Sequence, residues 1–476
     1  MHRRTFVTGA TRLAAASALL RRLPALPAAP RPRPTPAQLR WQRDELAMFV
    51  HFGVNTFTNR EWGEGTEDPR IFNPSALDPR RWARVAREAG FRSIVLTAKH
   101  HDGFCLWPSA RTTHSVASSP WREGHGDVVA ELSRACRAEG LGLGLYLSPW
   151  DRHEPSYGDS TRYMDHYVAQ LEELLTRYGK VVEVWFDGAN GEGPNGRKQV
   201  YDWARMHATV RRLAPQAVMF SDAGPDVRWI GNESGAAGET CWSTIDPRAV
   251  PYAGYDAPDV GRILQEGHPN GVWRPGETDV SIRPGWFWHP AEDDKVRTPD
   301  GLLDLYFTSV GRNSKLLLNV PPTTTGAFHA NDVDALRGFA RRRADVFAVD
   351  QLRGSRVVAG GPTGRHLVDG DPETAWSPGD TGMNGSVELK LARPARANVL
   401  RIAEAVQHGQ AVERYTVEVA REGRWSTVAS GTTVGHARLT RFDTTVVEGI
   451  RLTVGSTLDR VRVSQLSLYL DDARLG

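Results

Sequence analysis

The 476-residue chain is 40% hydrophobic and 24% charged, with 46 Gly, 30 Pro and three Cys, which excludes disordered, collagen-like and disulfide-stapled classes. Its length exceeds what one ordinary core organises and predicts two domains, one large and one smaller. The formal charge of +3 belongs to one segment: residues 1–40 carry eight Arg and no acid, leaving 51 basic and 56 acidic residues in the remainder.

That first segment reads His2-Arg3-Arg4-Thr5-Phe6-Val7, then a weakly apolar run at 13–20, then Ala/Pro-rich sequence with an Ala-x-Ala-like stretch at 25–29. Paired arginines ahead of small apolar residues resemble a twin-arginine export signal and predict a periplasmic or secreted protein. Arg21-Arg22 ends the apolar run after eight residues, against the roughly 20 that a membrane span needs. No aromatic or amphipathic Lys/Arg face accompanies the charge, so neither nucleic acid nor a membrane is expected as a partner. Cys105, Cys136 and Cys241 are widely spaced without a Cys-x-x-Cys pair; they read as packed free thiols, with one disulfide as the alternative.

Between residues 41 and 347 short apolar runs at 46–50, 93–97, 142–147, 181–186, 217–221 and 315–320 alternate with helical patterns at 79–88, 128–139, 163–178 and 199–213. This α/β alternation over some 300 residues predicts a (β/α)8 TIM barrel, with two further strands between Val227 and Trp288. Active groups of such a barrel follow the strand C-termini. His51, His100-His101-Asp102, Asp151, Asp187 and Asp222 stand at those positions. From 348 to 476 closely spaced period-two runs at 386–391, 399–402, 415–419, 437–440, 449–453 and 466–470 predict a compact β-sandwich packed on the barrel.

The segment Val184-Trp185-Phe186-Asp187-Gly188 puts Trp185 and Asp187 on one strand face, with Asp187 at the barrel mouth. A carboxylate beside an aromatic wall suits glycosyl transfer through an oxocarbenium-like carbon; a cap for the next helix is the other reading. Glu233, in a loop of small residues close to Trp229, is a candidate for the acid that protonates a leaving oxygen, with Glu239 as rival. Considered alone, either also reads as a solvated glutamate. His100 and His101 are neighbours that face opposite ways on an extended chain, and no His-Glu-x-x-His run exists, so no metal is expected. Imidazoles and mouth tryptophans such as Trp62, Trp107, Trp150, Trp242, Trp286 and Trp288 suit a polyhydroxylated ligand, though some must serve packing.

Together these segments resemble the α-L-fucosidases of glycoside hydrolase family 29. The resemblance rests on Phe49-Val50-His51-Phe52-Gly53-Val54-Asn55, Glu61-Trp62-Gly63, Lys99-His100-His101-Asp102-Gly103-Phe104, Trp185-Phe186-Asp187-Gly188, Arg283-Pro284-Gly285-Trp286 and Leu318-Asn319-Val320-Pro321-Pro322. It implies Asp187 as nucleophile and a fucose pocket lined by His51, Glu61, Trp62, His100, His101, Tyr146 and Trp185. The Glu233 segment, Ser148-Pro149-Trp150-Asp151 and Thr240-Cys241-Trp242-Ser243 resemble the branch acting on α-1,3/1,4 linkages of Lewis-type glycans, and Glu233 would then be the acid/base.

The tail, through Asp369-Gly370-Asp371-Pro372-Glu373-Thr374-Ala375-Trp376 and Val434-Gly435-His436-Ala437-Arg438-Leu439, resembles a discoidin-like, coagulation-factor type C module. Such modules bind sugars, and some hold a structural calcium ion; here no complete ligand set is evident, and a supporting role is the alternative. The expectation is a retaining exo-α-L-fucosidase that needs no cofactor and takes a fucosylated oligosaccharide or glycoconjugate. A retaining glycosidase for another sugar, such as a galactoside, and a non-catalytic carbohydrate-binding protein are the alternatives. Oligomeric state is not fixed by these patterns.

Overall fold

The computed structural model describes residues 31–379 and 382–474; the export signal lies outside the described residues. Eight parallel strands close a barrel: β1 (Leu46–Val50), β2 (Ser93–Lys99), β3 (Gly142–Leu147), β4 (Val181–Trp185), β5 (Val218–Ser221), β6 (Val227–Trp229), β7 (Gly276–Ser281) and β8 (Ser314–Asn319). The two strands expected between Val227 and Trp288 are β6 and β7. The connection from β5 to β6 carries no helix, because β6 starts level with the end of β5, Phe220 pairing with Val227. The chain therefore never returns to the bottom of the barrel there, and the βα rhythm that marks the other strands is missing.

The outer helices start and stop on local chemistry. Asp78 accepts the backbone N–H of Arg80 at the start of the helix Pro79–Ala89, and Gly90 ends it in the left-handed region at φ 87°. Asp127 likewise accepts from Ala130 at the start of Val128–Glu139. The helix expected at 199–213 begins later, at Trp203–Leu213, where Asp202 provides the cap. Strands β1 and β2 are buried throughout, since one face meets the helices and the other the barrel interior.

The helix Pro36–Asp44 starts within the segment read from sequence as leader and closes the barrel floor. Its Trp41 donates its indole N–H to Glu183 Oε2 at 3.1 Å, and Gln38 donates to the carbonyls of Asp226 and Trp273. All three cysteines are buried and unpaired. Among the described residues no helix is long and apolar enough to cross a membrane.

The C-terminal domain is an antiparallel sheet of six strands built around two of 20 residues, Gly385–Glu404 and Arg438–Thr457. The runs at 386–391 and 399–402 are thus one strand, as are 437–440 and 449–453. Register shifts between Lys390 and Ala395 and between Ala397 and Val399 let the first long strand turn from one layer into the other. Both halves feed one core: Val387 and Leu389 share it with Leu400, Ile402, Leu466 and Leu468. Trp376 of the Asp369–Trp376 motif is fully buried there, donating its N–H to the carbonyl of Gly360.

The two domains meet at a partly buried polar joint. Glu45 accepts from Arg401 at 2.7 Å and from the Tyr306 hydroxyl at 2.6 Å, with His436 3.6 Å away. Gly435 and His436 pack on Asn313, whose Oδ1 accepts the His436 backbone N–H at 2.7 Å. Burial alone would raise the Glu45 carboxyl, but Arg401, His436 and Tyr306 outweigh it and hold it far below its ordinary value. Glu45→Gln is expected to lower the unfolding free energy by about 3 kcal/mol near neutral pH, because it leaves Arg401 buried without its partner. A depressed carboxyl contributes stability above its unfolded value of 4.5, and that stability is lost as pH falls below it. Melting temperatures of wild type and E45Q, measured against pH, should therefore converge in acid.

Candidate active site

Barrel closure gathers the strand ends around a cavity of about 460 Å³ at the C-terminal mouth. Nine of the residues singled out from the sequence line it, His51, Glu61, Trp62, His100, His101, Tyr146, Trp185, Asp187 and Glu233, whereas the strand-end carboxyls Asp102, Asp151 and Asp222 do not and instead hold Phe104 N–H, Lys99 and Gly254 N–H. The rival Glu239 does not; its carboxylate pairs with Arg312 and Arg438 where the two domains meet.

Asp187 lies two residues past β4. Its Oδ1 accepts the Ala189 N–H at 2.7 Å, and its Oδ2 accepts the Tyr146 hydroxyl at 3.0 Å. These donors aim the carboxylate without covering it, since about a quarter of the side chain stays accessible (26%). Burial, followed by the Asp187 charge, pushes the Tyr146 hydroxyl well above its ordinary range, so it remains a donor. The Ser148 hydroxyl donates to the carbonyl of Trp150 at 2.6 Å and so accepts from His101 Nδ1 at 2.7 Å. His101 Nε2 then carries the free lone pair, 3.8 Å from Asp187 Oδ2.

His51 donates from Nδ1 to Asn319 Oδ1 at 2.9 Å, and burial lowers its pKa to about 3. Burial also lowers His100 far below its ordinary value and lowers His101. Three neutral imidazoles thus face a carboxylate, each able to accept or donate one hydrogen bond. Glu233 stands on the exposed loop after β6 and accepts the Trp286 indole N–H at 3.2 Å. Partial removal from water raises its pKa; the Trp286 bond opposes that rise, and the charges of Asp187 and Glu61 add to it. One carboxyl, Asp187, is aimed by two donors, and the other, Glu233, is pushed toward its acid form.

A sequence model of α-L-fucosidases matches residues 31–341. The chain belongs to the α-L-fucosidase family, glycoside hydrolase family 29. Alpha-L-fucosidase 1 of Arabidopsis thaliana is 44% identical over 456 residues, which is 92% of this chain and 88% of that protein. The crystal structure of SpGH29 matches with a TM-score of 0.87 at 40% identity, covering 92% of this chain and 98% of that one. A GH29 fucosidase of Ruminococcus gnavus in complex with fucose matches with a TM-score of 0.84 at 33% identity, covering 93% and 96%.

In this fucosidase Glu61 acts on its surroundings as much as on the cavity. Its carboxylate accepts the backbone N–H groups of Trp286 (2.8 Å) and Phe287 (3.1 Å) and lies 2.6 Å from His289 Nε2, tying the loop after β1 to the loop after β7. Phe49, Asp279 and Pro284 also line the cavity and were not singled out from sequence. Asp279 had a signal: Glu277, Asp279 and Ser281 alternate on one face of β7, an acidic inward face within a region where a barrel strand was expected. Among the described residues no group of three or more His, Cys, Asp or Glu side chains converges as a metal site. In the C-terminal domain Asp369 accepts from its own loop, from Asp371 N–H and the Thr374 hydroxyl.

A Cβ at Gly285 would stand 2.5 Å from Glu61 Oε1 and 3.0 Å from His289 Cδ2. Gly285→Ala is therefore expected to displace the Trp286 loop, costing about 1–3 kcal/mol of stability. Thermal denaturation should report that loss, and KM for a fucoside should rise more than kcat falls.

Proposed function

We propose that this fucosidase is an exo-acting, retaining enzyme that removes terminal α-L-fucose by double displacement, with Asp187 as nucleophile and Glu233 as acid/base. The observation that carries the reading is the contrast between two carboxyls on one cavity, Asp187 aimed by Tyr146 and Ala189, Glu233 raised at the mouth. Asp187 attacks C1 as Glu233 passes its proton to the departing oxygen, leaving a fucosyl ester on Asp187. Glu233, now an anion, takes a proton from water, whose oxygen displaces Asp187 from C1, and the second inversion releases α-configured fucose.

The walls favour fucose over galactose. Phe49 lies 5.2 Å from Trp185 and 6.2 Å from Trp286, forming an apolar patch suited to the C5 methyl group. Galactose carries a hydroxymethyl there, whose O–H would lose water without gaining a partner. Beside that patch, starting from His51 at 4.5 Å from Phe49, the three neutral imidazoles are offered to ring hydroxyls, and Trp62, 60% exposed, stands at the rim where a further sugar can rest.

The resemblance of the Glu233 and 240–247 segments supports α-1,3/1,4 linkages of Lewis-type glycans as substrate. The discoidin-like resemblance supports a sugar-binding or bracing role for the C-terminal domain. Export through the twin-arginine signal would bring the enzyme to such glycans outside the cytoplasm, with no nucleic acid or membrane as partner.

Asp187→Ala should abolish turnover of every fucoside, by about 10⁴-fold or more. Glu233→Ala should slow substrates with poor leaving groups most and recover part of its rate with azide, which attacks the β-linked fucosyl ester and gives fucosyl azide of α configuration. NMR of the first product formed should show the α anomer; initial release of the β anomer would mean inversion. A panel of Lewis-type trisaccharides, 2′-fucosyllactose and an aryl fucoside should show preference for the trisaccharides. Cleavage of the simple fucosides alone would overturn the linkage assignment.

A further inference from the structure

Asp279 is a carboxyl that the double displacement leaves without a task. It projects from β7 into the cavity that holds Asp187 and Glu233, and only 3% of it is accessible. Its Oδ1 accepts the Trp229 indole N–H at 2.7 Å. Its Oδ2 has no hydrogen-bond partner among the described residues and is not sealed from the cavity. A buried carboxyl with one oxygen anchored and the other turned to a ligand space is built to touch what enters that space.

We propose that Asp279 is a substrate-reading residue of this enzyme, whose free Oδ2 carries a hydrogen and donates it to an oxygen of the sugar bound between Asp187 and Glu233. The inference rests on the fucosidase reading of the cavity and adds one contact to it. Charge around the residue supports the neutral acid. Glu233, on the loop after β6, and Asp187, past β4, both face it with negative charge; Glu277 lies two residues earlier on the same strand. On β8, Leu317 stands in register with Asp279, and the ammonium of Lys315, one step lower, is 3.9 Å from Glu183 instead. Burial first, and the Glu233 charge second, push the Asp279 pKa far above its ordinary value, while the Trp229 bond opposes the rise only in part.

A neutral carboxylic acid offers both an acceptor and a donor, as a carboxamide does. Asp279→Asn keeps the acceptor for Trp229 and an N–H where the O–H was. Asp279→Leu keeps the bulk and removes both. The full-length enzyme and the two variants would be compared for kcat and KM on an aryl fucoside between pH 4 and 9, for inhibition by free fucose, and for folding by circular dichroism. D279N is expected to lose about 5-fold in kcat/KM, and D279L about 50-fold or more with correspondingly weaker fucose inhibition. The alkaline limb, set by Glu233, should stay where it is in D279N, because no charge has been removed beside it. An ionised Asp279 would instead raise Glu233, and its loss would move that limb to lower pH by about one unit. That movement, a D279N loss as large as that of D279L, or a folded D279L within about 3-fold of wild type would each overturn the proposal. Should D279L not fold, D279N decides through its limb position and fucose inhibition. A wild-type enzyme that cleaves no fucoside would overturn the reading of the cavity itself, a result distinct from all of these.

Discussion

The mouth of this barrel stands on two carboxyl groups buried in its interior. Glu183 on β4 and Glu277 on β7 are both fully buried, and Glu183 Oε1 and Glu277 Oε2 have no donor among the described residues, so each carboxyl bears on the titration of the other. Burial, and then the neighbouring Glu183, push Glu277 far above its ordinary range, so Glu277 holds the proton. Glu183 faces the ammonium of Lys315 at 3.9 Å and accepts from Trp41. One anion, one cation and one neutral acid close the charge of a space that water does not reach, the condition under which buried ions can be kept.

That pair fixes what lies above it. Glu277 accepts the indole N–H of Trp185 at 3.0 Å, and Trp185 stacks on Phe220 with ring centroids 4.0 Å apart. With its indole held at both edge and face, Trp185 sets the path of the next two residues, and Asp187 emerges with its oxygens toward Tyr146 and His101. Trp41 connects the floor helix to the same network, so the segment before the first strand is coupled to catalytic geometry through two indoles and two carboxyls. Among the described residues that line the cavity there is no Lys or Arg. In a low-dielectric cavity that leaves the Asp187 carboxyl without a cation beside it. Lys99, a buried cation just below, is engaged by Asp151 at 2.7 Å and Gln170 at 3.0 Å.

The C-terminal domain meets the opposite side of these elements. Glu45 directly precedes β1, and its ties to Arg401, Tyr306 and His436 brace the strand that ends in His51. Glu239 is drawn to Arg312 and Arg438 at the same junction, which separates it from the cavity although it lies only six residues beyond Glu233 in sequence. Distance along the chain says little about a loop whose two ends are held by different domains.

Strands that face helices on one side and barrel interior on the other must be apolar along most of their length, and active groups must follow their ends. For that reason six of the eight strands and the strand-end residues His51, His100, His101 and Asp187 were legible in the periodicity of the sequence, whereas Glu61 and Tyr146 were implied only by the family resemblance. The helix-free step from β5 to β6 and the polar inward face of β7 break the apolar rhythm, and with it Asp279 escaped notice. The choice between Glu233 and Glu239 could not be read locally, because both are glutamates in Gly-rich loops and only an ion pair with another domain distinguishes them. The two 20-residue strands of the C-terminal sheet looked like four, since each runs on through its register shifts, the first even past Pro394, instead of ending in a turn. Sequence by itself determined the repeating elements, their polarity and the residue types at the strand ends, because these follow from local burial and hydrogen-bond periodicity. Tertiary structure alone decided which carboxyls are buried together, which are paired across the domain joint and which face the sugar, because desolvation and charge depend on neighbours that are distant along the chain.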